Sequence, residues 1–149
     1  MEVDPAERFA LALVRGGMQR MTARLLAVFL FTEQPTLTMG DLVEGISVSS
    51  GSASTGIKAL VRVGLVEQVP APGSRRDHYR LRDDAWATLF SRNNEAVQVM
   101  LDASEDAIAA TPRASAAHQR LIAMRSFYTF LLAEIPTLIQ RWKQAQGQD

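Results

Sequence analysis

The chain has 149 residues, 47% hydrophobic and 21% charged, with 16 acids balanced by 16 bases. That is the make-up of one soluble globular domain, or two small lobes, and excludes a disordered chain and a strongly basic, non-specific nucleic-acid coat. The absence of cysteine excludes a disulfide framework, a Cys-based metal site and a Cys nucleophile.

In chain order, Asp4 is placed to cap a helix with Pro5 at its first position, running to about Arg15 and broken by Gly16-Gly17. The opening MEVDPAERF carries acids where a signal peptide carries bases and has no apolar h-region. Met18 to Phe31 is apolar on most sides and predicts a central, buried helix, ended by Glu33-Gln34-Pro35. Its continuous apolar run, Leu25 to Phe31, is the longest in the chain and too short to cross a bilayer. A cytoplasmic protein with no membrane span is expected.

Thr38 is a good N-cap, and Asp41 adds negative charge to the first turn of a helix from Met39 to about Ile46. Ser47-Val48-Ser49 is a turn. Ser49 or Ser50 then caps a helix to Val63, with Gly64 placed as its C-terminal glycine. On that helix Ala53, Ile57, Leu60 and Val61 are expected to face the core, leaving Ser50, Gly51, Ser54, Thr55, Lys58 and Arg62 outward. Leu65 to Val69 and His78 to Arg82 read as two strands around the turn Pro70-Ala71-Pro72-Gly73-Ser74, with Tyr79 and Leu81 expected on opposite faces.

Asp83 or Asp84 is expected to cap a long helix to about Ala109 that buries Trp86, Leu89/Phe90, Val97, Met100/Leu101 and Ile108. A last helix, about Ala114 to Gln144, carries Leu121, Met124, Tyr128, Leu131, Ile135, Leu138 and Trp142 at alternating spacings of three and four, a heptad seam. Pro136 is expected to kink or interrupt it. The fold class is therefore mainly α with a small β-wing: a winged helix-turn-helix flanked by dimerisation helices. The division is 1–17 (N-terminal dimerisation helix), 18–83 (winged helix-turn-helix) and 84–149 (C-terminal helical dimerisation region).

Charge distribution points to the partner. Gly45 to Val66 contains no Asp or Glu. Residues 18–82 hold eight bases against five acids, whereas residues 83–110 hold one base against six acids. A phosphate surface favours the first stretch and avoids the second. Hydroxyls, glycines and cations on a helix, with no carboxylate in front, suit contact with base edges and phosphates. The candidate DNA contacts are Thr38, Ser49, Ser50, Ser52, Ser54, Thr55 and Lys58, with Arg75 and Arg76 from the hairpin. Ser49 and Ser52 are placed to act as either cap or contact. Arg20, Arg24 and Arg62 are candidate phosphate contacts, and Arg24 has an ion pair as its alternative.

At these residues the sequence resembles a family. S-S-G-S-A-S-T-G-I-K-A-L-V-R-V-G-L-V-E at 49–67 and P-G-S-R-R-D-H-Y at 72–79 resemble the MarR superfamily, in the branch of the glycine-betaine synthesis regulator (GbsR type). Gly17, Arg20 and Arg24 match its preceding helix, so the resemblance covers roughly residues 16–90. It implies a homodimeric repressor or activator whose terminal helices form the dimer interface. It implies nothing about a ligand.

Chemistry for catalysis is missing. His78 and His118 are isolated, and there is no P-loop, no G-x-G-x-x-G and no G-x-S-x-G. No enzyme, metal or cofactor is expected. Trp86, Phe90, Phe127 and Tyr128 are the candidate lining of a pocket for a small-molecule effector. The expected function is a homodimeric transcriptional regulator, acting as a repressor on a pseudo-palindromic double-stranded DNA operator. The alternative is a winged-helix module that docks on proteins without binding DNA; such a surface would more often expose aromatics or leucines.

Overall fold

A computed structural model describes residues 3–147. Its elements are α1 (Pro5–Arg15), α2 (Arg20–Phe31), β1 (Leu37–Thr38), α3 (Met39–Ile46), α4 (Ser50–Val63), β2 (Val66–Val69), β3 (His78–Leu81), α5 (Ala85–Ala110) and α6 (Ala116–Gln146). They form two compact units, one ending at Leu89 and one starting at Phe90.

In the first unit the core is made by α2, α3, α4 and the sheet. Leu25, Leu26, Leu42, Ile57, Leu60, Leu65 and Val66 are its large, fully buried side chains. Ala85, at the start of α5, closes this core, with Leu89 packed beside it. A smaller cluster of Ala10, Ala23 and Ala27 joins α1 to α2. Alanines there let two helix backbones approach closely.

The helix ends are set locally. Asp4 accepts the N–H of Ala6 ahead of Pro5. Thr38 and Asp41 form a reciprocal capping box, in which Thr38 Oγ1 accepts the Asp41 N–H at 3.2 Å and Asp41 Oδ2 accepts the Thr38 N–H at 2.8 Å. The Thr38 N–H donated to its carboxylate, followed by the Thr38 hydroxyl beside it, holds the Asp41 carboxyl below its ordinary range. Gly64 ends α4 in the left-handed region at φ +86°, which glycine adopts without penalty. Ser47 does the same for α3 at φ +52°, and turns the chain into α4.

The strands differ from expectation in two respects. A third strand, β1, pairs antiparallel with β3 through Leu37↔Tyr79 and Thr38↔His78, giving the order β1-β3-β2. Two residues are too few to show a period-two pattern, so it left no readable signal. Tyr79 and Leu81 do not face opposite sides: both pack against the core. Residues two apart on a strand share a face.

On α4, Ala53, Ile57 and Leu60 are buried as expected, but Val61 is 37% exposed and Gly56 is buried in its place. At roughly 100° per residue, Val61 lies about 80° round from Ala53, whereas Gly56 lies about 60° the other way. The core-facing arc runs from Gly56 to Ile57 and leaves Val61 outside.

In the second unit, Leu101, Ser104 and Ile108 on α5 and Ile135 on α6 are buried. Arg125 pairs with Glu105 at 3.1 Å. Ser115 caps α6, and Thr111 Oγ1 lies 3.1 Å from His118 Nδ1 across the bend between the helices. A single helix runs through Pro136. Phe90 and Met100 are exposed rather than buried, as are Phe127, Phe130, Leu131, Leu138 and Trp142 on α6. By length and composition α6 is apolar enough to cross a membrane. The expectation drawn from the longest unbroken run missed this, because the apolar residues of α6 are interspersed with polar ones.

Candidate nucleic-acid interface

Ser49 starts the interface. Its Oγ accepts the N–H of Ser52 at 3.2 Å and donates to Ser52 Oγ at 3.0 Å, so both serines belong to the cap that opens α4. Thr55 Oγ1 donates to the Gly51 carbonyl at 3.1 Å, a bond that leaves its lone pairs outward. Among the described residues no hydrogen bond engages the Ser50 or Ser54 hydroxyl. Ser50, Gly51, Ser52, Thr55 and Lys58 are exposed and Ser54 is half-buried. Gly51, Ser52, Thr55 and Gly56 line one side of a groove of 290 Å³ whose other side is Gln19 and Met21, at the start of α2.

Two glycines on this helix do different work. A Cβ at Gly56 would run into Leu25 Cδ1 and come within 3.2 Å of Met21 Cγ, so α4 and α2 meet only because this side chain is absent. A Cβ at Gly51 would have nothing within 4 Å. Packing therefore explains Gly56 and leaves Gly51 without a role inside the fold.

The hairpin supplies the second element. Pro72 to Asp77 are all exposed, and Gly73 takes φ +82°. Gln68 Nε2 donates to Asp77 Oδ1 at 2.8 Å across the hairpin. Arg75 and Arg76 stand on this turn, and the Arg76 charge helps hold the Asp41 carboxyl low.

Ion pairs sort the cations. Arg80 meets Glu67 at 2.8 Å, and Arg82 meets Asp84 at 3.0 Å and Glu67 at 3.6 Å. The Arg82 contact holds the Asp84 carboxyl below its usual range, and the paired carboxylates raise both arginines further. Arg24 turns to α1, where its Nε reaches Glu7 at 3.8 Å, beside a small cavity of 110 Å³ that Arg20 also lines. Among the described residues Lys58, Arg75 and Arg76 form no ion pair. Cations left without a carboxylate are the ones available to a polyanion. Arg62 is exposed late on α4, and Thr38 is half-buried and committed to its cap.

Of the four aromatics expected to line a ligand site, Trp86 belongs to the first unit and Phe90, Phe127 and Tyr128 to the second. Trp86 is 48% exposed and Phe90 44%. Phe127 and Tyr128 meet edge to face at 5.1 Å. A cavity of 520 Å³ lies in the second unit and is lined by none of the four. Its α5 wall is polar (Ser91, Asn94, Glu95, Gln98), and its α6 wall is apolar from Leu132 to Ile139 and ends in Gln140 and Lys143. Side chains at helical spacing on two different helices are what a single-helix reading of the sequence cannot pair. Among the described residues no group of three or more His, Asp or Glu is set to hold a metal.

A sequence model of the MarR family matches residues 16–77, and one described as an MmpR5-like MarR family transcriptional regulator matches residues 84–145. Both are models of the MarR family, and between them they match most of the chain. A MarR-family relative, the HTH-type transcriptional regulator MmpR5 of Mycobacterium tuberculosis, is 26% identical over 134 residues, 89% of this chain and 81% of that protein. A crystal structure of a transcriptional regulator superposes with a TM-score of 0.82 at 24% identity, covering 93% of this chain and 95% of the other, and it shares the fold.

Proposed function

We propose that this MarR-family chain is a homodimeric, sequence-specific DNA-binding transcriptional regulator that acts as a repressor. The observation that carries the reading is the acid-free outer face of α4, with Lys58 unpaired beside Ser50, Ser54 and Thr55, followed by the unpaired Arg75 and Arg76 on the wing. In this reading α4 enters the major groove, its hydroxyls and Lys58 meet base edges and phosphates, and the wing arginines clamp the flanking backbone or minor groove. Arg20 and Arg62 are further phosphate contacts, with Arg24 beside them shared with Glu7.

Dimerisation follows from the second unit. Leu131, Leu138 and Trp142 of the heptad seam are exposed on α6, as are Phe127 and Phe130 beside it, and a second copy is the partner that repeats this pattern in register. Covered in this way, α6 belongs to a soluble, cytoplasmic dimer rather than to a membrane. The two α4 helices would then read half-sites about 34–36 Å apart on a pseudo-palindromic operator. A dimer of this size acts most simply by occupying its operator, hence the repressor sense. A small-molecule effector would act through the second unit, at Phe90, Phe127 and the half-buried Tyr128 or at the 520 Å³ cavity, with Trp86 belonging to the first unit. The GbsR-type branch rests on the motifs at 49–54 and 72–79. The match of residues 84–145 favours the MmpR5-like branch for the C-terminal helices.

Selection of bound fragments from a pool of genomic DNA tests the reading and yields the operator. Salt-sensitive, sequence-selective binding is expected. Arg75→Ala with Arg76→Ala should weaken it and flatten the salt dependence by about one unit of log slope per lost phosphate contact. A pool that returns no selective fragment sinks the regulator and favours the protein-docking module.

A further inference from the structure

His78 is a residue for which the DNA-contact reading has no use, yet it is bonded at both ring nitrogens. It lies on β3 just past the wing turn and is half-buried. Its Nδ1 is 2.8 Å from Oγ1 of Thr36, the residue that leads into β1. Its Nε2 is 3.1 Å from Oγ of Ser74, on the wing turn. Ser74 Oγ in turn accepts the backbone N–H of Arg76 at 3.2 Å, and the Ser74 N–H donates to the Ala71 carbonyl at 3.0 Å. A continuous side-chain chain thus runs from β1 through the imidazole to the backbone of Arg76. Its fixed end is one that cannot drift: β1 pairs with β3, and its last residue, Thr38, caps α3.

The tip needs such a tie. A two-stranded hairpin is marginal by itself in water, and Pro72 to Asp77 have no burial to hold them. Hydroxyls accept as readily as they donate, so the chain is satisfied with the ring in either tautomer or protonated. We propose that His78 is a positioning residue: through Thr36 and Ser74 it fixes the Arg75–Arg76 wing tip against the start of the helix-turn-helix. The consequence for DNA rests on the function proposed above, whereas the fixing itself does not.

Two readouts on the full-length protein separate these. His78→Phe keeps the ring and removes both nitrogens; Thr36→Val keeps the shape of its side chain and cuts only the β1 end. In the free protein, hydrogen exchange at the Ser74 and Arg76 amides is expected to rise about tenfold in both variants, as the loss of one or two hydrogen bonds implies, with exchange in α4 unchanged. On a fragment selected by the wild type, both variants are expected to bind about tenfold more weakly. The loss should vanish when Arg75→Ala and Arg76→Ala are already present. Unchanged exchange at the tip in both variants overturns the positioning role whatever happens on DNA. A loosened tip with wild-type affinity upholds the tie and overturns its consequence for DNA, and with it the wing contact. Should His78→Phe fail to fold, Thr36→Val and Ser74→Ala carry the same readouts.

Discussion

The two units spend their apolar side chains differently. Up to Leu89, large residues such as Leu25, Leu42 and Leu60 are sealed among α2, α3, α4 and the sheet. From Phe90 onward, Phe127 is 60% exposed and Phe130 68%, although α6 contains a stretch apolar enough to cross a membrane. A unit that closes its own core depends on no partner. One that leaves aromatics in water loses the hydrophobic contribution they would make on burial, about 1.5–3 kcal/mol for a large side chain, until another surface covers them. Under the dimer proposed above, the first unit closes a core of its own, although Phe31 and Trp86 stay outside it, and the second is the one a partner would complete.

The largest expected effect tests that contrast directly. Leu60→Ala should destabilise the protein by about 2–5 kcal/mol, because the surrounding core cannot collapse into the space left behind. The denaturant midpoint of the first unit's transition reads this. Phe130→Ala, which deletes a larger side chain, should barely move that midpoint at a fixed high protein concentration. It should instead raise the dimer dissociation constant about tenfold or more, measured by sedimentation across a dilution series. If the two substitutions give the same concentration-independent loss, Phe130 is an ordinary core residue and the contrast between the units is broken.

How much of this was legible in the sequence follows the same line. The helix ends could be read because each is decided by residues within a turn of it: Asp4 with Pro5, Thr38 with Asp41, Ser49, and Gly64. The outer face of α4 could be read because it is a matter of residue type and period. What escaped depends on partners distant in the chain. The partners of β1 are 40 and 42 residues away on β3, the ion pair offered as the alternative for Arg24 finds its acid, Glu7, on a neighbouring helix, and the bonds of His78 reach Thr36. Apolar periodicity places Trp86, Phe90 and Met100 in the interior because it says that a face is covered, not by which molecule. Their exposure here is the same misreading that a heptad seam invites when its partner is a second chain.

The next effect in size sharpens the contrast within the first unit, where α4 repeats it on its two faces. Gly56→Ala should cost about 1–3 kcal/mol, since the new methyl must displace the fully buried Leu25 or push α4 away from α2. Thermal unfolding reads the loss. Unchanged stability would mean that Leu25 has room to turn aside, and that the α2–α4 approach is looser than the packing indicates.

The smallest effect carries the most about function. Gly51→Ala makes the same change five residues earlier, into open space. Alanine restricts the unfolded chain and favours the helix, so the free protein should gain up to about 1 kcal/mol. A glycine that makes its own fold less stable calls for a reason outside the fold. The first N–H groups of a helix have no partner within it, and Gly51 leaves this end of α4 bare beside the groove formed with Gln19 and Met21. If a phosphate is to lie there, a methyl at position 51 holds it away. The variant should therefore unfold at a higher temperature than the wild type and bind its selected DNA more weakly, the two changes having opposite signs. Higher stability with undiminished affinity would show that DNA does not come up to α4 at this point, and would move the contact toward Thr55 and Lys58.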